Sequence, residues 1–250
     1  MFCSAVPMRR GVHAIVALFA CATISCGRPA GESFSARADY IDGAADRHTL
    51  ALRFAPILSM HSSEPYHVVA VIGVFHPLKP LIAYHIFFED DAFLAGRGKA
   101  FDHELVWAEY DPVTLKITDA LTLWHRTVLR TESCLMDAKA SGQRPNIDIQ
   151  WGQHGPLPSG WRSLLTARPR LELAMHYRVA RYINRLPRAS AKKPAVSFSG
   201  SYDDYLTFTE KVDAADYIHA EDVVTAEHSL EFLRSRLGMT FLPKKEWPDW

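Results

Sequence analysis

Runs of apolar residues, broken by turn residues, follow one another through the middle of the chain. Val68–Phe75 and Leu81–Phe88 are continuous apolar or aromatic runs, whereas residues 104–110 and 146–151 alternate between apolar and polar side chains. Because successive strand residues point to opposite faces, alternation is typical of strands with one buried face. Short strands at this spacing, separated by Gly, Pro and Asp, predict a β-sandwich.

The pattern changes in the last third of the chain. Residues 222–237 carry apolar side chains at the 3.6-residue period of a helix, and Asp222 and Gly238 are suited to cap its two ends. Residues 171–186 are rich in Ala at near-helical spacing, and residues 205–210 resemble a further strand. The predicted fold is mainly β, a β-sandwich with added C-terminal helices, and hence α+β.

The N-terminus has the pattern of a secretory signal peptide. Arg9 and Arg10 precede an apolar stretch, residues 11–24, that is short for a transmembrane helix. Small residues then lead to Cys26, which resembles a bacterial lipobox and predicts cleavage before Cys26 and lipid on its sulfur. A second loose match ends at Cys21, and an ordinary cleaved signal or an anchor is the alternative.

The sequence predicts three segments along the chain. Residues 1–25 are predicted to be a signal peptide of the lipoprotein type, residues 26–48 a tether, and residues 49–250 a single β-sandwich domain with a helical C-terminal third. The prediction for localisation is a lipid-anchored protein of the bacterial cell envelope. Gly27 after the lipidated cysteine, rather than Asp, favours the outer membrane, facing the periplasm or the exterior.

Composition and charge exclude some functions. Apolar residues make up 48% of the chain, which is typical of a globular protein with an ample core. The 28 Lys and Arg balance the 28 Asp and Glu, so there is no electrostatic case for nucleic-acid binding. Cys134 has no second cysteine in the body with which to pair, and we interpret it as a buried thiol rather than a nucleophile.

Two segments carry candidate chemistry. Asp102 and Glu104 stand two apart in a strand pattern, so both carboxylates are expected on one face. His154 follows an alternating strand on a Gly/Pro turn, and Asp90 and Asp91 close an aromatic strand upstream. Several oxygens suit Ca²⁺ or Mg²⁺, whereas a histidine suits Mn²⁺ or Zn²⁺ better, and the same groups suit acid–base work.

The same residues also have a purely structural interpretation. Asp102 would then cap its strand and pair with Arg97 or Lys99, Glu104 would lie on a solvated face, and His154 would be a satisfied turn residue. Three tryptophans would either stack on a sugar at the rim of a cleft or belong to the core: Trp107, Trp151 and Trp161.

The motifs together resemble a known family. Residues 53–66 resemble the opening strand of the vacuolar-protein-sorting-type β-sandwich family, where an apolar-Pro-apolar strand precedes an acidic residue and a Tyr. Residues 102–104 stand where that family, and the related necrosis-inducing secreted proteins, have a His-rich motif ending in Asp-Trp-Glu. Residues 144–158 look like the family's strand, Gly-x-His-Ala turn and Tyr-Pro. The resemblance covers roughly residues 50–161.

The resemblance implies a β-sandwich with a cleft at one end. In the necrosis-inducing branch the cleft holds a divalent cation on carboxylates and a His, and it contacts a membrane sugar-lipid headgroup. By position, Asp102 and Glu104 match the Asp-x-Glu pair, Asp91 or Asp90 matches the upstream Asp, and His154 matches the turn His. The implied metal ligands are therefore Asp91, Asp102, Glu104 and His154, with Ca²⁺, Mg²⁺ or Mn²⁺ as the cation.

The chain departs from the family pattern at two places. His103 stands at the family's Trp position, and the histidines that precede the Asp-x-Glu pair are missing.

Three hypotheses for function follow. The first hypothesis is an envelope lipoprotein that binds a headgroup or carbohydrate through a divalent cation. The second is a metal-assisted hydrolase or lyase with His154 as its catalytic base. The third is a structural envelope protein with no site.

Overall fold

Two β-sheets form the framework of the protein. The computed structural model describes residues 44–92, 102–164, 167–183 and 196–237, together with residues 244, 247 and 248. The strands are β1 (Ile57–Met60), β2 (Val68–Phe75), β3 (Leu81–Phe88), β4 (Asp102–Asp111), β5 (Lys116–Trp124), β6 (Thr127–Arg130), β7 (Asn146–Ile149), β8 (Pro156–Pro158), β9 (Glu210–Asp213) and β10 (Val223–Thr225).

Along the chain, helices precede the first strand, follow the last one and occur between strands. They are α1 (Ala44–Phe54), α2 (Glu132–Ala140), α3 (Ala167–Ala180), α4 (Tyr202–Tyr205) and α5 (Ala226–Leu237). Short 3-10 turns lie at Trp161–Leu164, Ala214–Tyr217 and Ala220–Asp222. Among the described residues, no helix is both long and apolar enough to cross a lipid bilayer.

The two sheets differ in size and topology. The smaller sheet has the order β8-β7-β1-β9, and β1 runs parallel to β7. The larger sheet has the order β10-β2-β3-β4-β5-β6, in which β2 to β6 form an antiparallel meander and β10 adds parallel to β2. Short connections of two to five residues join β2 to β3, β4 to β5 and β5 to β6, whereas thirteen residues separate β3 from β4.

The main core lies between the sheets. It contains Leu58 and Ile147 from the smaller sheet and Tyr84 and Val106 from the larger one, all fully buried. We call the face of the larger sheet that meets this core its inner face. The opposite, outer face carries a second core cluster, which includes Leu233 of α5. The predicted fold class, mainly β with added helices, is confirmed.

Several element predictions need correction. Helix is not confined to the C-terminal third, because α1 and α2 precede residue 161. The apolar pattern of residues 50–58 is that of an extended strand interrupted at Pro56, but the run begins inside α1. The segment 205–210, predicted to be a strand, instead begins with the last residue of the short helix α4, and only Glu210 belongs to a strand. The final helix starts later than predicted because β10 precedes it.

Part of the prediction falls outside the described residues. The signal peptide, the lipidation site at Cys26 and residues 26–43 of the predicted tether lie there. Residues 44–48, the end of that predicted tether, belong to α1.

Candidate functional site

Strand β4 places two acidic side chains on the inner face of the larger sheet. Asp102 lies opposite Phe88 and Glu104 lies opposite Ile86, and both partners belong to the main core. Each acidic residue is only 4% exposed. Burying a carboxylate without a partner is unfavourable, so the surroundings of both side chains have to supply compensating charge or hydrogen bonds.

His154 reaches these acids from the turn between β7 and β8. Its backbone has a positive φ of 56°, and its N–H donates to the carbonyl of Gln150 at 2.8 Å. Gly152 makes the tight turn possible, because a Cβ atom there would lie 2.9 Å from the side chain of Ala92. The imidazole ring then stacks on Phe88, with centroids 3.9 Å apart. His154 is completely buried.

Two carboxylates hold the imidazole from opposite sides. His154 Nδ1 lies 2.8 Å from Asp102 Oδ2, and His154 Nε2 lies 3.2 Å from Glu64 Oε1. Glu64 also accepts hydrogen bonds from the backbone N–H groups of Gly152, at 2.7 Å, and Tyr66, at 3.2 Å. We call Glu64, His154 and Asp102 the buried triad.

The triad determines the charge of His154. Burial lowers the pKa of the imidazole, but Glu64 and Asp102 together outweigh burial and raise that pKa to about 10. The ring is therefore an imidazolium at neutral pH and donates from both nitrogens. In this state it has no lone pair with which to accept a proton or ligate a cation.

Only one of the two carboxylate oxygens of Glu104 has a hydrogen-bond partner among the described residues. Its Oε1 lies 2.5 Å from Lys244 Nζ, whereas its buried Oε2 has no hydrogen-bond partner among the described residues. Burial raises the pKa of Glu104 to about 8, with Lys244 acting in the opposite direction and Asp102 adding to the rise. His154 also acts electrostatically on Glu104, so the carboxylate lies near the triad.

A polar network adjoins these charges and centres on the buried side chain of Gln150. Trp124 Nε1 donates to Gln150 Oε1 at 2.9 Å, and since indole can only donate, this contact fixes the orientation of the amide. His125 Nε2 must then also donate to Oε1, at 3.3 Å, while Gln150 Nε2 donates to His176 Nδ1 at 2.9 Å. A further contact joins Gln150 Nε2 to Tyr205 Oη at 3.0 Å.

The two histidines of this network are neutral at pH 7. Burial is the main cause that lowers the pKa of His125 and that of His176, each to about 4. Their rings contact each other with centroids 4.7 Å apart. His125 also has a positive φ of 54° in the hairpin between β5 and β6, a conformation that a non-glycine residue rarely adopts.

Asp91 lies at the border of this region. It is 6% exposed, and its charge acts on Tyr205 of the Gln150 network. The next residue, Ala92, donates its backbone N–H to the carbonyl of Gly152 at 2.7 Å, so this segment lies against the turn that carries His154. Arg97 and Lys99, the partners in the structural interpretation of Asp102, fall outside the described residues.

The other predicted candidates belong to the interior. The tryptophans proposed for a cleft rim are buried to within 1% exposure: Trp107, Trp151 and Trp161. Burial is also the main cause that raises the pKa of Cys134, to about 12, which agrees with a structural thiol. Among the described residues, no group of three or more His, Cys, Asp or Glu has the arrangement of a metal site.

Sequence reasoning found part of this site. Asp102, Glu104 and His154 were singled out, and the structure brings Asp102 and His154 into contact. The role of Glu64 was missed, although a signal existed, since the family pattern has an acidic residue before a Tyr and Glu64 stands just before Tyr66. The Gln150 network had no such signal, because its partners are far apart in sequence.

Comparisons with protein-family models, with curated proteins and with solved structures found no match. The resemblance to the sorting-type and necrosis-inducing proteins therefore stays a prediction from the motifs alone.

Proposed function

We propose that this chain is a binding protein of the bacterial cell envelope. A lipid on Cys26 anchors it to the membrane, and its β-sandwich binds a divalent cation, Ca²⁺, Mg²⁺ or Mn²⁺, beside the buried triad. The cation in turn binds a lipid headgroup or a carbohydrate. The observation that carries the proposal is the buried Oε2 atom of Glu104, which has no hydrogen-bond partner among the described residues.

The charges around Glu104 support a cation there. Glu64, Asp102 and Glu104 are three carboxylates, whereas His154 and Lys244 supply only two positive charges, so one negative charge remains when all are ionised. Because burial raises the pKa of Glu104 to about 8, a cation that binds near neutral pH displaces the proton of Glu104. Carboxylate oxygens are the ligands that Ca²⁺ and Mg²⁺ prefer. Glu104 would hold the cation with Oε2, and Asp102 would contribute its charge.

His154 fits a supporting role better than that of a ligand or a base. Both of its ring nitrogens are engaged by Asp102 and Glu64. It would hold the two acids in place, as buried partners of metal-site carboxylates commonly do. The hypothesis of a hydrolase or lyase with His154 as base has no supporting observation, because the imidazolium must first lose a proton to one of its neighbours.

Cation binding to the full chain in detergent micelles, after dialysis against chelator, tests the proposal. We expect about one bound divalent ion per chain, as a single site of this kind holds one ion. At a hundred times its Kd the ion should add about 2.7 kcal/mol to the free energy of unfolding. For a domain of this size that is a rise in Tm of roughly 5–10 °C.

Three variants sharpen this test. Glu104→Gln should abolish the rise in Tm, whereas Glu109→Gln, the same change on the same strand but not on the inner face, should leave it in place. Lys244→Met should tighten binding, because it removes the ammonium that competes for Glu104. Equal loss in both glutamate variants, or no bound ion in the wild type, contradicts the proposal.

The ligand of the bound cation is a separate question. Arrays of lipid headgroups and of envelope glycans, probed with the full chain in the presence and absence of Ca²⁺, address it. Retention that requires the ion and is lost in Glu104→Gln supports a bridging cation. Retention that is the same with and without Ca²⁺, and the same in the wild type and in Glu104→Gln, shows that the ligand binds elsewhere.

A further inference from the structure

Helix α3 has one buried and one exposed side. His176 on the buried side is 7% exposed and bonds to the Gln150 network. On the other side, Leu171 is 71% exposed, Met175 is 53% exposed, and Tyr182, just after the helix, is 51% exposed. Together with Arg178 these residues follow the spacing i, i+4, i+7 and i+11, which forms a single stripe along a helix.

Positive charge borders this apolar stripe. Arg170, Arg178 and Arg181 are all exposed. Glu172 is the only acidic residue between positions 170 and 183, so the segment carries an excess of positive charge within a chain whose formal net charge is zero. An exposed apolar stripe flanked by arginines is complementary to a membrane surface that presents anionic headgroups above acyl chains.

We propose that this α3 face, formed by Leu171, Met175 and Tyr182 with Arg170, Arg178 and Arg181, binds an anionic lipid surface. The apolar side chains enter the boundary between headgroups and acyl chains, and the arginines bind phosphate oxygens. This contact is additional to the proposed lipid on Cys26. It does not depend on the proposed cation, because no residue of the α3 face belongs to the buried triad or to Glu104.

The contact also has a consequence for the candidate site. The helix that would lie on the membrane is the helix that presents His176 to Gln150. Membrane binding would therefore act on an element that forms one wall of the Gln150 network.

Partitioning of the full chain onto vesicles tests the α3 face. Phosphatidylcholine vesicles are compared with vesicles in which about a third of the lipid is phosphatidylglycerol, an anionic lipid. The N-terminal segment contributes to binding on both kinds of vesicle, so the ratio of the two partition coefficients isolates the charge-dependent part. We expect a ratio well above one that falls as NaCl is raised, because salt screens the attraction.

Charge removal should reduce this ratio. In the triple variant Arg170→Gln, Arg178→Gln and Arg181→Gln, the ratio should fall by on the order of a hundredfold, since each basic residue near an anionic surface contributes about fivefold. The matched control removes three exposed positive charges elsewhere on the protein: Lys79→Gln, Lys116→Gln and Lys139→Gln. Its ratio should stay within a few-fold of the wild type.

The apolar stripe is tested separately. Leu171→Gln with Met175→Gln should weaken the binding that persists at high salt, whereas Val113→Gln with Met136→Gln should not, although Val113 is 88% and Met136 57% exposed. A wild-type ratio near one overturns the proposal. So does an equal loss in the arginine and lysine variants. Both partition ratios are measured without added divalent ions, so neither outcome bears on the proposed cation.

Discussion

At the scale of single residues, the site contains buried charges in two different states. His154 is engaged on both ring nitrogens by acids that are themselves buried. Glu104, two residues from Asp102 along β4, has one oxygen on Lys244 and the other without a partner among the described residues. In the first arrangement every charge has a partner, whereas the second leaves one buried oxygen without one, which is the observation behind the proposed cation.

Loss of the imidazolium should therefore destabilise the protein strongly. His154→Gln leaves Glu64 and Asp102 facing each other without a positive charge between them. Removing one partner of a buried ion cluster costs about 3–5 kcal/mol, and we expect a decrease of that size in the free energy of unfolding at neutral pH. Urea denaturation followed by circular dichroism measures it.

A matched control uses a histidine on the surface. His67 is exposed, so His67→Gln should change the free energy of unfolding by no more than about 0.5 kcal/mol. If His154→Gln loses less than about 1 kcal/mol, the triad does not hold the charge that we assign to it.

At the scale of elements, local sequence patterns predicted β2, β3, β4 and β7 but not every strand or helix. Strands β2 and β3 are continuous apolar runs bounded by turn residues, and β7 alternates cleanly. Helix α1 was missed because the alternation of Leu50, Leu52 and Phe54 resembles a strand. In the structure Ala51, Phe54 and Ala55 are fully buried, at the spacing of three and four residues that a helix requires.

The contacts between elements had no local pattern. Gln150 joins Trp124 in β5, His176 in α3 and Tyr205 in α4. These partners are 26 to 55 residues away in sequence. Nothing in the polar spacing of one strand indicates which distant side chain will satisfy its amide, so the sequence predicted the face of the site but not this network.

The Gln150 network should make the fold sensitive to acid. His176 has a folded pKa of about 4, below the ordinary value of 6.5, because it is buried. Between these values the unfolded chain binds a proton that the folded protein does not. Stability is therefore complete above about pH 6.5 and falls as the pH drops toward 4, by about 1–3 kcal/mol for this residue.

The variant His176→Asn isolates this contribution. The amide oxygen of asparagine accepts the hydrogen bond from Gln150 but does not titrate. Urea denaturation between pH 7 and pH 4 should show a smaller decline for the variant than for the wild type. Parallel declines would show that His176 is not the residue that couples the network to pH.

At the scale of the whole molecule, the larger sheet is covered on both faces. Its inner face meets the smaller sheet, and its outer face packs against a second cluster that includes Trp107 and Leu233. This double burial explains why β2 and β3 are apolar, apart from His85, rather than alternating, since a strand with two buried faces has no solvent side. Helix α5 is therefore part of the core and not an appendage.

Two leucines on α5 test this arrangement within a single helix. Leu233 is 1% exposed and belongs to the outer-face cluster, whereas Leu230, three residues earlier, is 42% exposed. Leu233→Ala should lower the free energy of unfolding by about 2–5 kcal/mol, because it removes buried apolar surface and leaves a cavity. Leu230→Ala removes the same atoms from the same helix and should lower it by less than about 1 kcal/mol. Urea denaturation of both variants provides the comparison, and helix propensity cancels between them because the substitution is identical. Equal effects of the two substitutions would mean that α5 does not seal the outer face of the larger sheet.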